Sequence, residues 1–205
     1  MKVIIVEGMD NTGKSTIIEQ IVDFLANTNN IDRNRIFVKH LDKPDGSTNI
    51  DKISNIDITN YNLATFLLKA KKKQLYDYII LDRSWYSEYV YGQIYRHRSE
   101  EDVYNKIKVL ENIVSDFFIG YGYGISILIF LSTNIDFFIN YEDGNSLSIG
   151  DNQKELIIKE KQLFTDIAYK SSMQRHIDFI IVNNGEKFRP KDEIFDEVKK
   201  IINNY

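Results

Sequence analysis

Near its N-terminus the chain reads Gly8-Met9-Asp10-Asn11-Thr12-Gly13-Lys14-Ser15, a glycine and four residues followed by Gly-Lys-Ser. That spacing has a mechanical meaning. Glycines let the backbone curl until successive N–H groups point inward at phosphate oxygens, and a helix beginning at the lysine adds the positive end of its dipole. Lys14 then reaches the β- and γ-phosphates of a nucleotide, and the Ser15 hydroxyl is placed to ligate Mg²⁺. Gly8, Asn11, Thr12, Gly13, Lys14, Ser15 and Thr16 are therefore the candidate ATP-binding residues.

A second reactive pair, Asp82-Arg83, directly follows an apolar run at 78–81. If that run is a strand, the pair falls at the C-terminal edge of the sheet, where open α/β sheets bind their ligands. Asp82 there suits Mg²⁺ through water or a proton, and Arg83 offers a planar fork for a phosphate. The same two side chains also suit a plain ion pair at a strand end. Lys14, Asp82 and Arg83 are the candidate catalytic residues, and Ser15 and Asp82 the candidate metal ligands. The Asn-Lys-x-Asp sequence with which GTPases read guanine is absent.

These residues need a sheet and helices to hold them. Apolar runs rich in β-branched residues recur at 3–6, 36–38, 78–81, 125–131 and 179–182, with helical patterns between them. Such alternation predicts a parallel sheet with helices on both faces. Ile17, Ile18, Ile21, Val22 and Leu25 form one stripe of a helix starting near Lys14. Val103, Ile107, Leu110, Val114 and Phe117 do the same within 101–118, and Ile194, Phe195, Val198, Ile201 and Ile202 after Pro190. The segment 140–155, with Asp143-Gly144-Asn145-Ser146 and Gly150-Asp151-Asn152, predicts an exposed loop long enough to be a lid.

At 205 residues the chain has the length of one domain, and no linker or repeat divides 1–205. Lysine and arginine number 26 against 30 acids, a net charge of -4, which argues against nucleic acid as the main partner. There is no cysteine, so disulfides, thiolate metal sites and cysteine nucleophiles are excluded, and a reducing cytosol suits the composition. No apolar run reaches the roughly 18 residues of a membrane span, and the four apolar residues after Lys2 are too few for a signal peptide. His40, His97 and His176 lack metal-ligand spacing and receive no role. Asn183-Asn184-Gly185 reads as a turn after the fifth strand, and the basic run Lys69 to Lys73 as a solvated helix end.

Glu7 through Thr16 and Asp82-Arg83-Ser84-Trp85-Tyr86-Ser87 together resemble the two motifs of the thymidylate kinases and related deoxynucleoside monophosphate kinases, phage-borne versions included. The resemblance runs through the order of elements over nearly the whole chain, and these two motifs are its specific part. It implies a three-layer α/β P-loop NTPase fold with a five-stranded parallel sheet flanked by helices. It also implies ATP and Mg²⁺ as cofactors, small nucleotides as substrates, and transfer of a phosphoryl group to a deoxynucleoside monophosphate, dTMP to dTDP above all. A cytoplasmic location follows, the host's if phage-encoded, and a homodimer through helix faces within 86–95 and 102–118. Asp10 matches the family's acid near the acceptor's 3′-hydroxyl, Arg83 its phosphate-binding arginine and Asp82 its acid near the metal. Phe66 is the match for the aromatic that stacks on the acceptor base, and Tyr91 for the aromatic after the Asp-Arg motif. Asn183-Asn184-Gly185 falls at the edge where related kinases hold adenine.

The chain also departs from that pattern. Ser84 stands in place of an aromatic, and Gly92, with Gln93 beside it, fills the position that often reads the thymine edge. The family's transition-state arginine lies in the phosphate loop, where this chain has Asn11, or in the lid, where 140–155 holds no arginine. Lys154, Lys159, Arg96 and Arg98 are the substitutes available. Asp82-Arg83-Ser84 also resembles the Glu-Arg-Ser motif of deoxynucleoside kinases, which act on a nucleoside 5′-hydroxyl. Those enzymes carry a glutamate base after the second strand, whereas this chain reads His40-Leu41-Asp42-Lys43-Pro44 there. A third reading is a nucleotide-binding module with little catalytic power, for which the missing arginines speak.

Overall fold

The computed structural model describes residues 1–41, 50–118, 124–139 and 152–204. Its centre is a five-stranded, all-parallel sheet of β1 (Lys2–Gly8), β2 (Ile36–His40), β3 (Tyr78–Asp82), β4 (Ile125–Leu131) and β5 (Ile177–Ile181), in the order β2-β3-β1-β4-β5. All five predicted strands are present, each within two residues of the expected limits, the largest differences falling at the N-terminal end of β5 and the C-terminal ends of β1 and β2, where backbone pairing continues past the apolar run. Their near-continuous apolar character has a simple cause: both faces of the sheet are covered.

Side chains alternate along each strand between two cores. On one face Ile4, Val6, Ile80, Leu128 and Phe130 meet α1 (Lys14–Asp23) and α7 (Lys191–Asn204) through Ile17, Ile21, Val198 and Ile202. On the other face Val3, Ile5, Ile79, Leu81, Ile127 and Ile129 meet α2 (Ile50–Lys72), α3 (Trp85–Tyr95), α4 (Glu100–Phe118) and α6 (Gln153–Lys170). A short helix, α5 (Ile135–Ile139), follows β4, and a hairpin of β6 (Asn183–Asn184) and β7 (Lys187–Phe188) turns the chain between β5 and α7.

Four helices, α2, α3, α5 and α6, have no counterpart among the stripes read from the sequence. α2 buries Asn60, Leu63, Ala64, Leu67 and Ala70, and α6 buries Ile157, Glu160, Phe164, Ile167 and Ala168, both at helical spacing. Of the expected lid loop, 140–151 lies outside the described residues, and Gln153 to Glu155 are the first turn of α6 instead of loop. No helix among the described residues is long and apolar enough to cross a membrane.

Candidate active site

The sheet order determines where a ligand can sit. β1 and β3 are neighbours, yet β1 leads into α1 on one face and β3 into α3 on the other. Their C-terminal ends diverge, opening the crevice that parallel α/β sheets use for binding. Gly8–Ser15 and Asp82–Arg83 leave their strands at that crevice.

Backbone geometry shapes the loop. Gly8 has φ 128°, and a Cβ there would lie 2.2 Å from the Phe130 carbonyl oxygen, so only glycine lets β1 run this close to β4 at its exit. Asn11 and Gly13 adopt left-handed φ of 57° and 77°, curling the backbone just before α1 starts at Lys14. Thr12 Oγ1 donates to the Met9 carbonyl at 2.7 Å, and Lys14 Nζ donates to the same carbonyl at 2.5 Å and to Thr12 Oγ1 at 3.3 Å. Lys14 is 7% exposed. Burial, with Arg83's charge nearby, lowers its pKa to about 7, against the pull of Asp10, Asp82 and Glu7. The Asn11 amide nitrogen is buried without a hydrogen-bond partner.

Arg83, itself at a left-handed φ of 69°, turns back over the loop. Its backbone N–H donates to Val6 O at 2.9 Å, and its guanidinium pairs with Asp10 and donates to the Tyr91 hydroxyl at 3.1 Å. Asp10, Lys14, Arg83 and Tyr91 thus form one buried cluster. Beside it a cavity of about 580 Å³ is lined by Asp10 through Thr16, Asp82, Arg83, His40 and Phe188. Ser15, exposed to this cavity, and Asp82 are one hydroxyl and one carboxylate, a donor set that fits Mg²⁺, which takes one or two protein oxygens and completes its shell with phosphates and water. No group of three or more His, Cys, Asp or Glu side chains placed to hold a metal ion exists among the described residues.

Glu7 buttresses the site from beneath, a part the sequence reading did not assign it. Fully buried, its carboxylate accepts from Ser84 N at 2.6 Å, Ser84 Oγ at 2.8 Å and Ser87 Oγ at 2.7 Å. Burial pushes its pKa up, while Ser87, Arg83 and Ser84 act to keep it ionised. Ser84 is the N-cap of α3, accepting from Tyr86 N, so Glu7 fixes the start of the helix that carries Tyr91. The signal was an acid at the end of an apolar strand with serines flanking the first turn of a later helix.

Other expected residues lie elsewhere. Phe66 packs with Phe37 and Tyr76, ring centroids 5.2 and 6.5 Å away. Phe37 pairs with Ile79, level with Val3 near the start of β1, so this cluster sits toward the opposite end of the sheet from Lys14. The structure does not bring Phe66 to the other candidates. Arg96 and Arg98 are both buried and ion-paired with Glu88, and Arg98 also with Asp57 and Asp102. Gly92 is explained by that cluster: a Cβ there would lie 2.6 Å from Glu88 Oε1. Lys154 pairs with Asp136 at 2.6 Å and Lys159 is exposed on α6; neither lines the phosphate cavity. Two further cavity residues are His40 at the end of β2, to which the sequence reading assigned no role, and Phe188 in the β6–β7 hairpin. That hairpin is the turn expected at Asn183-Asn184-Gly185, with Gly185 at φ 63° and Asn183 Oδ1 accepting from Thr133 N at 2.8 Å.

The site is therefore a parallel α/β sheet whose C-terminal edge brings a Gly-x4-Gly-Lys-Ser loop against an Asp-Arg strand end. Among solved structures the fold is that of thymidylate kinases. The enzyme from Ehrlichia chaffeensis matches with a TM-score of 0.53 at 15% identity, over 98% of this chain and 98% of its own. That from Candida albicans matches with a TM-score of 0.54 at 19% identity, over 99% of this chain and 91% of its own. No family model matches the sequence, and no curated protein matches it significantly.

Proposed function

We propose that the chain transfers the γ-phosphoryl group of ATP to a deoxynucleoside monophosphate, dTMP being the acceptor that the two motifs favour. The observation that carries this reading is the Arg83–Asp10 pair inside the phosphate loop. A guanidinium anchored by a loop carboxylate stands next to the Lys14 cradle, giving two adjacent cationic groups for two phosphate-bearing substrates.

In this mechanism the loop N–H groups and Lys14 hold the donor's phosphates, and Arg83 takes the acceptor's phosphate. Asp10 orients Arg83 and lies where the acceptor's sugar enters. Tyr91 supports Arg83 from the far side, its ring 5.2 Å from the guanidinium carbon. Ser15 and Asp82 are the residues that would hold Mg²⁺, which when bound with ATP neutralises charge on the phosphates. The acceptor oxygen is already anionic, so the protein need not remove a proton; its contribution is alignment and electrostatic stabilisation. Phe188, which also lines the cavity, is the aromatic that this reading assigns to the donor's base.

The test is a coupled assay of ADP release with ATP, Mg²⁺ and a panel of dTMP, dGMP, dCMP, dUMP, thymidine and deoxycytidine. Release with monophosphates, abolished in Lys14→Ala, is the expected result. Release with nucleosides alone identifies a nucleoside kinase instead, and ATP binding without release a binding module. Either outcome overturns the proposal, as does retained turnover in Lys14→Ala.

A further inference from the structure

We propose that His40 is a positioning residue for the metal, its imidazole holding the Asp82 carboxylate in the orientation a divalent cation requires; this rests on reading Ser15 and Asp82 as the Mg²⁺ site. His40 ends edge strand β2 in register with Asp82 at the end of β3, and in-register neighbours on adjacent strands project to the same side. Nδ1 of His40 lies 2.7 Å from Oδ2 of Asp82. The carboxylate side chain is 9% exposed while the imidazole is 63% exposed, and both line the cavity that contains Lys14 and Ser15.

The arrangement has two consequences. A carboxylate that accepts from Nδ1–H fixes the ring's tautomer, and Oδ2 is thereby committed to His40, which leaves Oδ1 as the oxygen to face a cation or its water. Asp82 also interacts electrostatically with Lys14. Strand pairing has less need of this bond, because Leu41 N already donates to Asp82 O at 3.0 Å and joins the two strand ends through the backbone. A bond to so exposed a ring adds little to folding. Its position in the cavity wall gives it a different use.

The probe is Mn²⁺ followed by electron paramagnetic resonance in the presence of a non-hydrolysable ATP analogue. His40→Ala weakens Mn²⁺ binding in that complex about 10- to 100-fold, the usual range for loss of a residue that orients a metal ligand. His40→Asn, whose amide N–H can occupy the Nδ1 position, stays within about threefold of wild type. Affinity for the analogue measured in chelator is unchanged in both variants. Unchanged Mn²⁺ affinity in His40→Ala, or equal losses in the alanine and asparagine variants, overturns the inference. So does a loss of analogue affinity in chelator, which would make the role structural. Asp82→Asn separates the levels: if it leaves Mn²⁺ binding intact, the metal site itself is misread, whereas a loss there with none in His40→Ala removes only the role of His40.

Discussion

Lys14 carries the site's central charge at 7% exposure, with the Met9 carbonyl and the Thr12 hydroxyl as hydrogen-bond partners. Its pKa is about 7 in the fold against 10.5 for an ordinary lysine. Between those values the unfolded chain binds more protons than the folded one, so stability from this group rises with pH. The penalty of burying the cation is therefore full below about pH 7 and fades toward the ordinary lysine value. Lys14→Met, which keeps the stem and removes the charge, should melt above wild type near pH 6, with the gap closing by about pH 9 to 10. Calorimetry across that range checks it; a constant gap contradicts the buried-charge account. At this scale the sequence was informative wherever chemistry depends on spacing along the chain, as in Gly13, Lys14 and Ser15. It was silent on His40, whose partner lies 42 residues away and becomes adjacent only through strand register.

Elements decide which residues can meet. Tyr91 reaches Arg83 because Ser84 caps α3 and fixes the helical phase two turns onward. Phe66 lacks such a reference point in the sequence: α2 turns Leu63, Ala64 and Leu67 into the core, which leaves Phe66 against Phe37 and Tyr76. Phe66→Ala accordingly should lower stability by about 2 kcal/mol while changing the acceptor KM less than about twofold. A larger rise in KM with little loss of stability would place Phe66 in the acceptor site after all. Glu7 behaves oppositely. Glu7→Ala leaves the Ser84 N–H and two serine hydroxyls without their buried acceptor and should cost about 3 kcal/mol, whereas Glu7→Gln, which keeps the shape and one acceptor, costs about 1 kcal/mol. Chemical denaturation of the two variants measures the difference. The strands were legible because a doubly covered sheet demands apolar runs, whereas α6 was hidden beneath a polar segment whose final residues are its first turn.

On the scale of the whole molecule, two cores flank one sheet and the candidate site bridges the strands between them. A ligand held by β1, α1, β3 and α3 together stabilises elements from both cores. At 100 times its dissociation constant such a ligand adds about 2.7 kcal/mol, which for a chain of this length raises the melting temperature by roughly 5–10 °C. Mg²⁺ with a non-hydrolysable ATP analogue should produce that shift in wild type and none in Lys14→Ala; scanning fluorimetry reads it directly. The sheet order and the face assigned to each helix were not legible beyond the general class, since they depend on which strands pair and not on any one run of residues.

Glu7 joins these scales in a further way. It ends the strand that feeds the phosphate loop, and its side chain holds the first turn of the helix behind Arg83. Any coupling between the loop and the Arg83 side that runs through this joint must, by linkage, be reciprocal. The factor by which the ATP analogue tightens acceptor binding must equal the factor by which acceptor tightens the analogue, and Glu7→Gln should bring both toward one.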